Sequence, residues 1–147
     1  MENNKMKLQF LSLSENESFA RSTVGCFALG LNPNLADISD IKTAVSEAVT
    51  NCIVHGYPNE VGNITIESEI RGNELHINIS DEGVGIDDIE RAVQPFFTTF
   101  EGSERSGMGF TIMQSFMDDV KVTSEKGKGT SVYMMKKIVG ELKEEDA

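Results

Sequence analysis

Three short segments stand in a fixed order along the chain: Glu47-Ala48-Val49-Thr50-Asn51, then Asp81-Glu82-Gly83-Val84-Gly85-Ile86, then Gly107-Met108-Gly109. The alternating run Leu75-His76-Ile77-Asn78-Ile79-Ser80 precedes the second segment. Asp81 is therefore expected at a strand end, where glycines let the backbone turn sharply beside a ligand and the carboxylate can meet a base edge. The third segment sets its glycines directly before the apolar stretch 110–117. That arrangement aims unpaired backbone N–H groups and a positive dipole end at phosphate. Alone, an Asp-x-Gly-x-Gly is commonly a turn and a Gly-x-Gly before a helix is commonly a cap. In this order the segments outline a nucleotide pocket, built without the Gly-x-x-x-x-Gly-Lys-Ser/Thr loop, which the chain lacks.

These segments resemble the N, G1 and G2 boxes of the GHKL ATPase superfamily, shared by gyrase, Hsp90, histidine kinases and MutL. The resemblance implies the Bergerat ATP-binding fold. That is an α+β, two-layer sandwich in which a mixed, mostly antiparallel sheet carries helices on one face. It narrows at Ser46-Glu47-Ala48-Val49-Thr50-Asn51, His55-Gly56-Tyr57 and Arg105-Ser106-Gly107-Met108-Gly109-Phe110-Thr111-Ile112-Met113, which resemble the bacterial anti-sigma-factor serine kinases over nearly the whole chain. Asn16-Glu17-Ser18-Phe19-Ala20-Arg21 and Phe116-Met117-Asp118-Asp119-Val120 are most similar to the sporulation branch, with the general-stress branch as the alternative. The resemblance implies a homodimer that binds ATP and Mg²⁺, sequesters a sigma factor and phosphorylates a serine of an anti-anti-sigma protein. The rival from another class is an ATP-dependent sigma-binding module without phosphoryl transfer.

A chain of 147 residues suits one domain with one core. It divides into residues 1–36, a first strand and helix for dimer and partner contacts, a lid at 96–109 and an acidic tail at 140–147. A histidine-kinase fragment would need a phosphoacceptor hairpin, and a gyrase-like protein a second domain; neither is expected. The net charge of −11 disfavours direct nucleic-acid binding, which needs clustered Lys and Arg, and favours a basic protein partner. No apolar signal core or long apolar run occurs, so a cytoplasmic protein with no membrane span is expected. Cys26 and Cys52 lack metal or redox spacing and fall on apolar helical stripes, so both are expected as buried thiols.

Residues 8–13 read as a first strand apolar on both faces, and Ser14-x-x-Glu17 as a capping box opening a helix to about residue 31, with Phe19, Thr23, Phe27 and Leu31 on one face. A second helix over about 37–55 buries Ile38, Ile41, Val45, Ala48 and Cys52. Strands are expected at 64–70 and 75–80, joined by the short turn Arg71-Gly72-Asn73-Glu74, and at 120–124 and 130–136. A brief helix at 88–93, a ligand-closing loop at 96–106 and a helix at 109–118 complete the reading.

Glu47, Asn51 and His55 recur every four residues and share one helical stripe. Asn51 offers a neutral carbonyl oxygen, a hard ligand suited to Mg²⁺ that leaves other sites to phosphate and water. The resemblance implies that Glu47 is the general base. His55 either lines the pocket or caps the helix end before Gly56. Asp81 resembles the family aspartate that accepts from the adenine amine. Gly83 and Gly85 let the backbone approach the nucleotide, and Thr130 resembles a strand threonine beside adenine. In the lid, Thr98 and Thr99 are followed by Phe100 where related kinases often carry a lysine. Arg105 is then the remaining lid cation, a phosphate clamp in preference to a surface partner of Glu101 or Glu104. Ser106, Gly107, Met108 and Gly109 complete the phosphate-binding set. Arg21 matches an arginine that in this family touches both competing partners.

Overall fold

Alternation of Ile64, Ile66 and Ile70 with polar residues, repeated by Leu75, Ile77 and Ile79, creates strands with one mainly apolar face, which must be covered. The covering is seen in a computed structural model, which describes residues 3–85 and 109–139. In chain order the elements are β1 (Asn4–Leu11), α1 (Glu15–Ala28) with a 3₁₀ turn (Leu29–Leu31), and α2 (Leu35–Asn51) running on into a π-helical turn (Cys52–Gly56). There follow β2 (Asn63–Arg71), β3 (Glu74–Asp81), α3 (Gly109–Phe116), β4 (Asp119–Glu125) and β5 (Gly129–Lys137). The expected helix at 88–93, the loop at 96–106 and the tail at 140–147 lie outside the described residues.

The sheet order is β1-β2-β3-β5-β4. Every pairing among the described strands is antiparallel, so the expected α+β fold stands while the expected mixed character of the sheet does not. The reason is topological: β3 and β4 run the same way, but β5 returns from β4 and inserts between them. The register stacks residues across the sheet in rows. Leu8, Ile66, Ile79, Val132 and Val122 form one inward row, and Phe10, Ile64, Asp81, Thr130 and Ser124 form the next. The inward face is mainly apolar, interrupted by buried Ser68 and by Lys136, and its last row turns polar from β3 onward. The opposite face carries Lys5, Lys7, Glu67, Glu69, Asn78 and Tyr133, and is suited to water.

The helices join the inward face in one hydrophobic cluster, to which α2 gives Ile41, Ala44, Val45, Ala48 and Val49, and α3 gives Phe110 and Met113. Helix α2 packs against both α1 and α3. Its start is fixed by a capping box that escaped the sequence reading. The Asn34 side chain accepts from the Asp37 N–H at 2.8 Å, and the Asp37 carboxylate accepts from the Asn34 N–H at 3.3 Å.

The expected box at Ser14 and Glu17 does not form. Ser14 is itself helical (φ −58°, ψ −32°) and its side chain makes no capping bond. The Glu17 carboxylate instead accepts from Arg21 and from the Ser46 hydroxyl of α2. The buried stripe of α1 is also displaced from the expected one: Ala20, Val24, Gly25 and Ala28 face α2, while Phe19 is 51% exposed. Small residues win this face because they let the helices approach, and a Cβ on Gly25 would already stand 3.2 Å from the Lys42 side chain. Cys26 falls just off that stripe and is exposed, against expectation, whereas Cys52 is buried. On β1, Met6, Leu8 and Phe10 face the core, which reduces the expected apolar outer surface to Leu11 and Leu13.

Ile77 lies on β3 between two neighbours and has no exposed surface. Ile77→Ala should therefore lower unfolding free energy by about 2–5 kcal/mol, as cavity-forming core truncations do. Urea denaturation should show a lower midpoint with an unchanged slope; a loss under about 1 kcal/mol would mean the core collapses into the gap.

Candidate nucleotide-binding site

Helix α2 brings Glu47 and Asn51 to one face because they are four residues apart. Both meet the first residue of α3. A Cβ on Gly109 would stand 3.0 Å from Asn51 Nδ2, 3.4 Å from Asn51 Oδ1 and 3.2 Å from Glu47 Oε2. A side chain at this position would press on the carboxylate and the amide, so glycine suits the close approach of the start of α3. Segments far apart in sequence thus converge on one spot, as their order suggested. His55 falls not on the α-helical part that carries Glu47 and Asn51 but on the wider π-helical turn that follows it. Burial lowers the His55 pKa, which favours the neutral imidazole.

Asp81 closes the inward face of β3 and is buried, with 7% of its surface exposed. Its Oδ1 accepts from the Gly83 N–H at 2.8 Å and the Thr130 N–H at 3.3 Å, and the Cys52 thiol hydrogen-bonds to the same carboxylate. Burial raises the Asp81 pKa and these hydrogen bonds pull it back, burial being the larger effect. The Cys52 thiol is itself pushed up by burial and by the Asp81 charge, so it stays protonated and donates. A carboxylate has about four lone-pair positions, so acceptor capacity remains for a ligand amine.

After Asp81 the chain turns at Gly83, where a Cβ would collide with the Gly56 carbonyl oxygen, and at Gly85, whose backbone is left-handed (φ 77°). Thr130 Oγ1 lies 2.8 Å from Ser124 Oγ, which also donates to the Gly129 carbonyl at 3.0 Å. The described part of the site is therefore a polar floor at the sheet end and a wall of Glu47 and Asn51 against the start of α3. These residues fit an adenine nucleotide through the buried acceptor and the close backbone at Gly83. They fit Mg²⁺ through hard oxygen donors that do not cage the ion by themselves, since no group of three or more His, Cys, Asp or Glu poised for a metal occurs among the described residues.

Residues 13–136 match the histidine kinase-like ATPase domain family. Anti-sigma F factors are close relatives: that of Thermoanaerobacter sp. (strain X514) is 60% identical over 135 residues, covering 92% of this chain and 94% of its own. The chain belongs to the anti-sigma F factor family. The anti-sigma F factor of Clostridium acetobutylicum is 59% identical, covering 91% and 94% of the respective chains, and that of Geobacillus kaustophilus is 56% identical, covering 92% and 93%. The fold is that of the catalytic domain of the histidine kinase ThkA, at a TM-score of 0.58 and 18% identity over 94% of this chain and 97% of that one. An ATPase domain of this family binds ATP.

Within this anti-sigma F factor family member, Thr98, Thr99, Arg105, Ser106, Gly107 and Met108 lie outside the described residues. Arg21 lies apart from the nucleotide site. It donates to Glu17 at 3.1 Å and lines a groove of about 410 Å³ between α1 and α2 with Leu35, Ile38, Ser39, Lys42, Thr43 and Ser46. Among the described residues no helix is long and apolar enough to cross a membrane. Sequence reasoning missed Cys52 and Ser124 as site neighbours, since a helical cysteine and a strand serine carry no signal of their own.

The raised Asp81 pKa has a definite sign in stability. Unfolded, the group ionises near its ordinary value of 3.8; folded, it holds its proton to higher pH, so its contribution to stability falls as pH rises through that window. Asp81→Asn keeps an oxygen for both backbone donors and removes the buried charge. The nucleotide-free variant should melt at or above wild type at pH 7, with the difference shrinking as pH falls toward 4. A variant less stable than wild type at neutral pH would mean the hydrogen bonds outweigh burial.

Proposed function

We propose that this protein is an anti-sigma factor and a serine protein kinase. In its ATP form it sequesters a sigma factor, and it uses ATP to phosphorylate a serine of an anti-anti-sigma protein, controlling transcription in sporulation. The convergence of Glu47, Asn51 and Gly109 carries the reading, in a chain 60% identical to an anti-sigma F factor. Asp81 accepts from the adenine amine, with Thr130 beside it and Gly83 and Gly85 allowing the base to approach the backbone. Asn51 holds Mg²⁺, which when bound neutralises charge on the phosphates. Gly107, Met108 and Gly109 would bind those phosphates, with Thr98, Thr99, Arg105 and Ser106 as further phosphate-binding residues.

Glu47 takes the proton of the substrate serine as its oxygen bonds to the γ-phosphorus and the bond from that phosphorus to ADP breaks. Its carboxylate beside Gly109 supports that role, because the base must stand next to the phosphate-binding helix start. The sigma factor and the anti-anti-sigma protein compete for a surface that includes Arg21. A homodimer, built partly from β1 and α1, is the working assembly.

Glu47→Gln keeps the size and one acceptor oxygen but removes the base. It should still bind ATP and still hold sigma, yet phosphorylate the anti-anti-sigma serine about 10² to 10⁴ times more slowly. Phosphoserine measured by mass spectrometry, with ATP binding by calorimetry, tests this. Transfer at near wild-type rate would remove Glu47 as the base, and loss of ATP binding would make it structural. Arg21→Glu should abolish capture of both partners in an ATP-dependent pull-down while leaving ATP affinity nearly unchanged, because the reversal sets a second carboxylate beside Glu17 in a groove apart from the nucleotide. Survival of either interaction would move the partner surface elsewhere.

A further inference from the structure

The turn that follows Asp81 has three successive backbone N–H groups, and each is held by a different acceptor. Glu82 N–H donates to the Tyr57 hydroxyl at 2.7 Å, Gly83 N–H to Asp81 Oδ1 at 2.8 Å and Val84 N–H to the Gly56 carbonyl at 2.9 Å. Two of the three acceptors belong to the dipeptide that closes the π-helical turn. Tyr57 itself is buried at 6% exposure and is anchored from both ends. Its N–H donates to the Cys52 carbonyl at 3.0 Å, and its hydroxyl donates to the Asn63 carbonyl at 2.6 Å, at the start of β2. The Tyr57 pKa is raised, first by burial, so the hydroxyl keeps the proton that the bond to Asn63 needs. Its ring fills the space where Gly62 lacks a side chain.

We infer that Tyr57 is a positioning residue for nucleotide selectivity: its hydroxyl bridges the Asn63 carbonyl and the Glu82 N–H, and so sets the direction in which Asp81 presents its carboxylate to the base. The inference rests on the reading of Asp81 as the adenine acceptor. The physical argument is one of angle. A carboxylate selects an amine over a carbonyl only if its free lone pair points at the exocyclic group, and one of the donors that orient the Asp81 carboxylate, the Gly83 N–H, belongs to the turn that follows it. The adjoining peptide is Glu82, and Tyr57 clamps it. Glu47 and Asn51 lie earlier on α2, before the π-helical turn, so loss of the clamp should reach base recognition and leave the phosphate end in place.

Tyr57→Phe removes the hydroxyl and keeps the ring, leaving the Glu82 N–H and the Asn63 carbonyl without it. Calorimetry on the full chain with ATP and with GTP, and phosphoryl transfer across a range of ATP concentrations, give the readouts. The expected result is an ATP Kd raised about tenfold, a narrowed ATP-over-GTP ratio, and a kcat at saturating ATP close to wild type. Gly62→Ala, whose Cβ would push into the Tyr57 ring from outside the site, should narrow the same ratio without removing any hydrogen-bonding group. Should Tyr57→Phe fold poorly, the ratio measured for Gly62→Ala decides. A wild-type protein that does not prefer ATP over GTP would overturn the adenine reading of Asp81 itself. A wild-type preference retained in both variants, or a fall in kcat that tracks the folded fraction with no change in KM or in the ratio, would overturn the role of Tyr57.

Discussion

A carboxylate at the inner end of a central strand is expensive to bury, and the arrangement around Asp81 follows from that cost. The charge is tolerated because donors converge on it from three directions: the turn after β3, the start of β5 and the thiol of Cys52. Each donor constrains a different element. The Thr130 N–H needs β5 paired with β3 in a register that sets Thr130 opposite Asp81. The thiol needs the end of α2 directly over the strand end. The Gly83 N–H needs a turn too tight for a side chain. Even so the carboxylate remains harder to ionise than usual, so it is under-compensated in the free protein and gains from a further donor.

The same constraint explains the sheet order. Strand β5 lies between β3 and β4, which puts Thr130 beside Asp81 and Ser124 beside Thr130 in one polar row at the edge of a mainly apolar face. An order following the sequence would have paired β3 with β4 and placed other side chains next to the carboxylate. The π-helical turn has a similar origin. Continuing α2 as a regular helix would carry Gly56 along the axis, whereas the wider turn presses its backbone against the Asp81 carboxylate and lets its carbonyl accept from Val84.

Much of this was legible in the residues. Strand alternation identified β2, β3 and β5 to within a residue or so, because period-two burial leaves little freedom once one face is apolar. The convergence of Glu47, Asn51 and Gly109 was legible as well, since helical spacing and a glycine before an apolar helix are local signals. What failed depended on which neighbour a side chain finds. The Ser14 box looked complete, but Glu17 found Ser46 and Arg21 across and along the helices, and a tertiary partner outcompeted the local cap. The face of α1 was misread because bulk was taken as the sign of burial, whereas a close crossing favours alanine and glycine. The mixed sheet was misread because pairing order is set by where the helix between β3 and β4 returns the chain, which no local pattern encodes.

Helix α2 stands between two surfaces, and this is where fold and proposed function meet. Ser46 lines the groove with Arg21 and bonds to Glu17, while Glu47, the next residue, turns to the start of α3. Consecutive residues on a helix point about 100° apart, so one turn of α2 reaches the Arg21 groove on one side and the start of α3 on the other. Both flanks of that turn are packed, against α1 and against α3. A partner seated in that groove would therefore meet Ser46, one residue along the backbone from the proposed base and joined to it by the same helix. In the proposed function, that proximity would let a single small domain hold one protein and phosphorylate another from neighbouring surfaces.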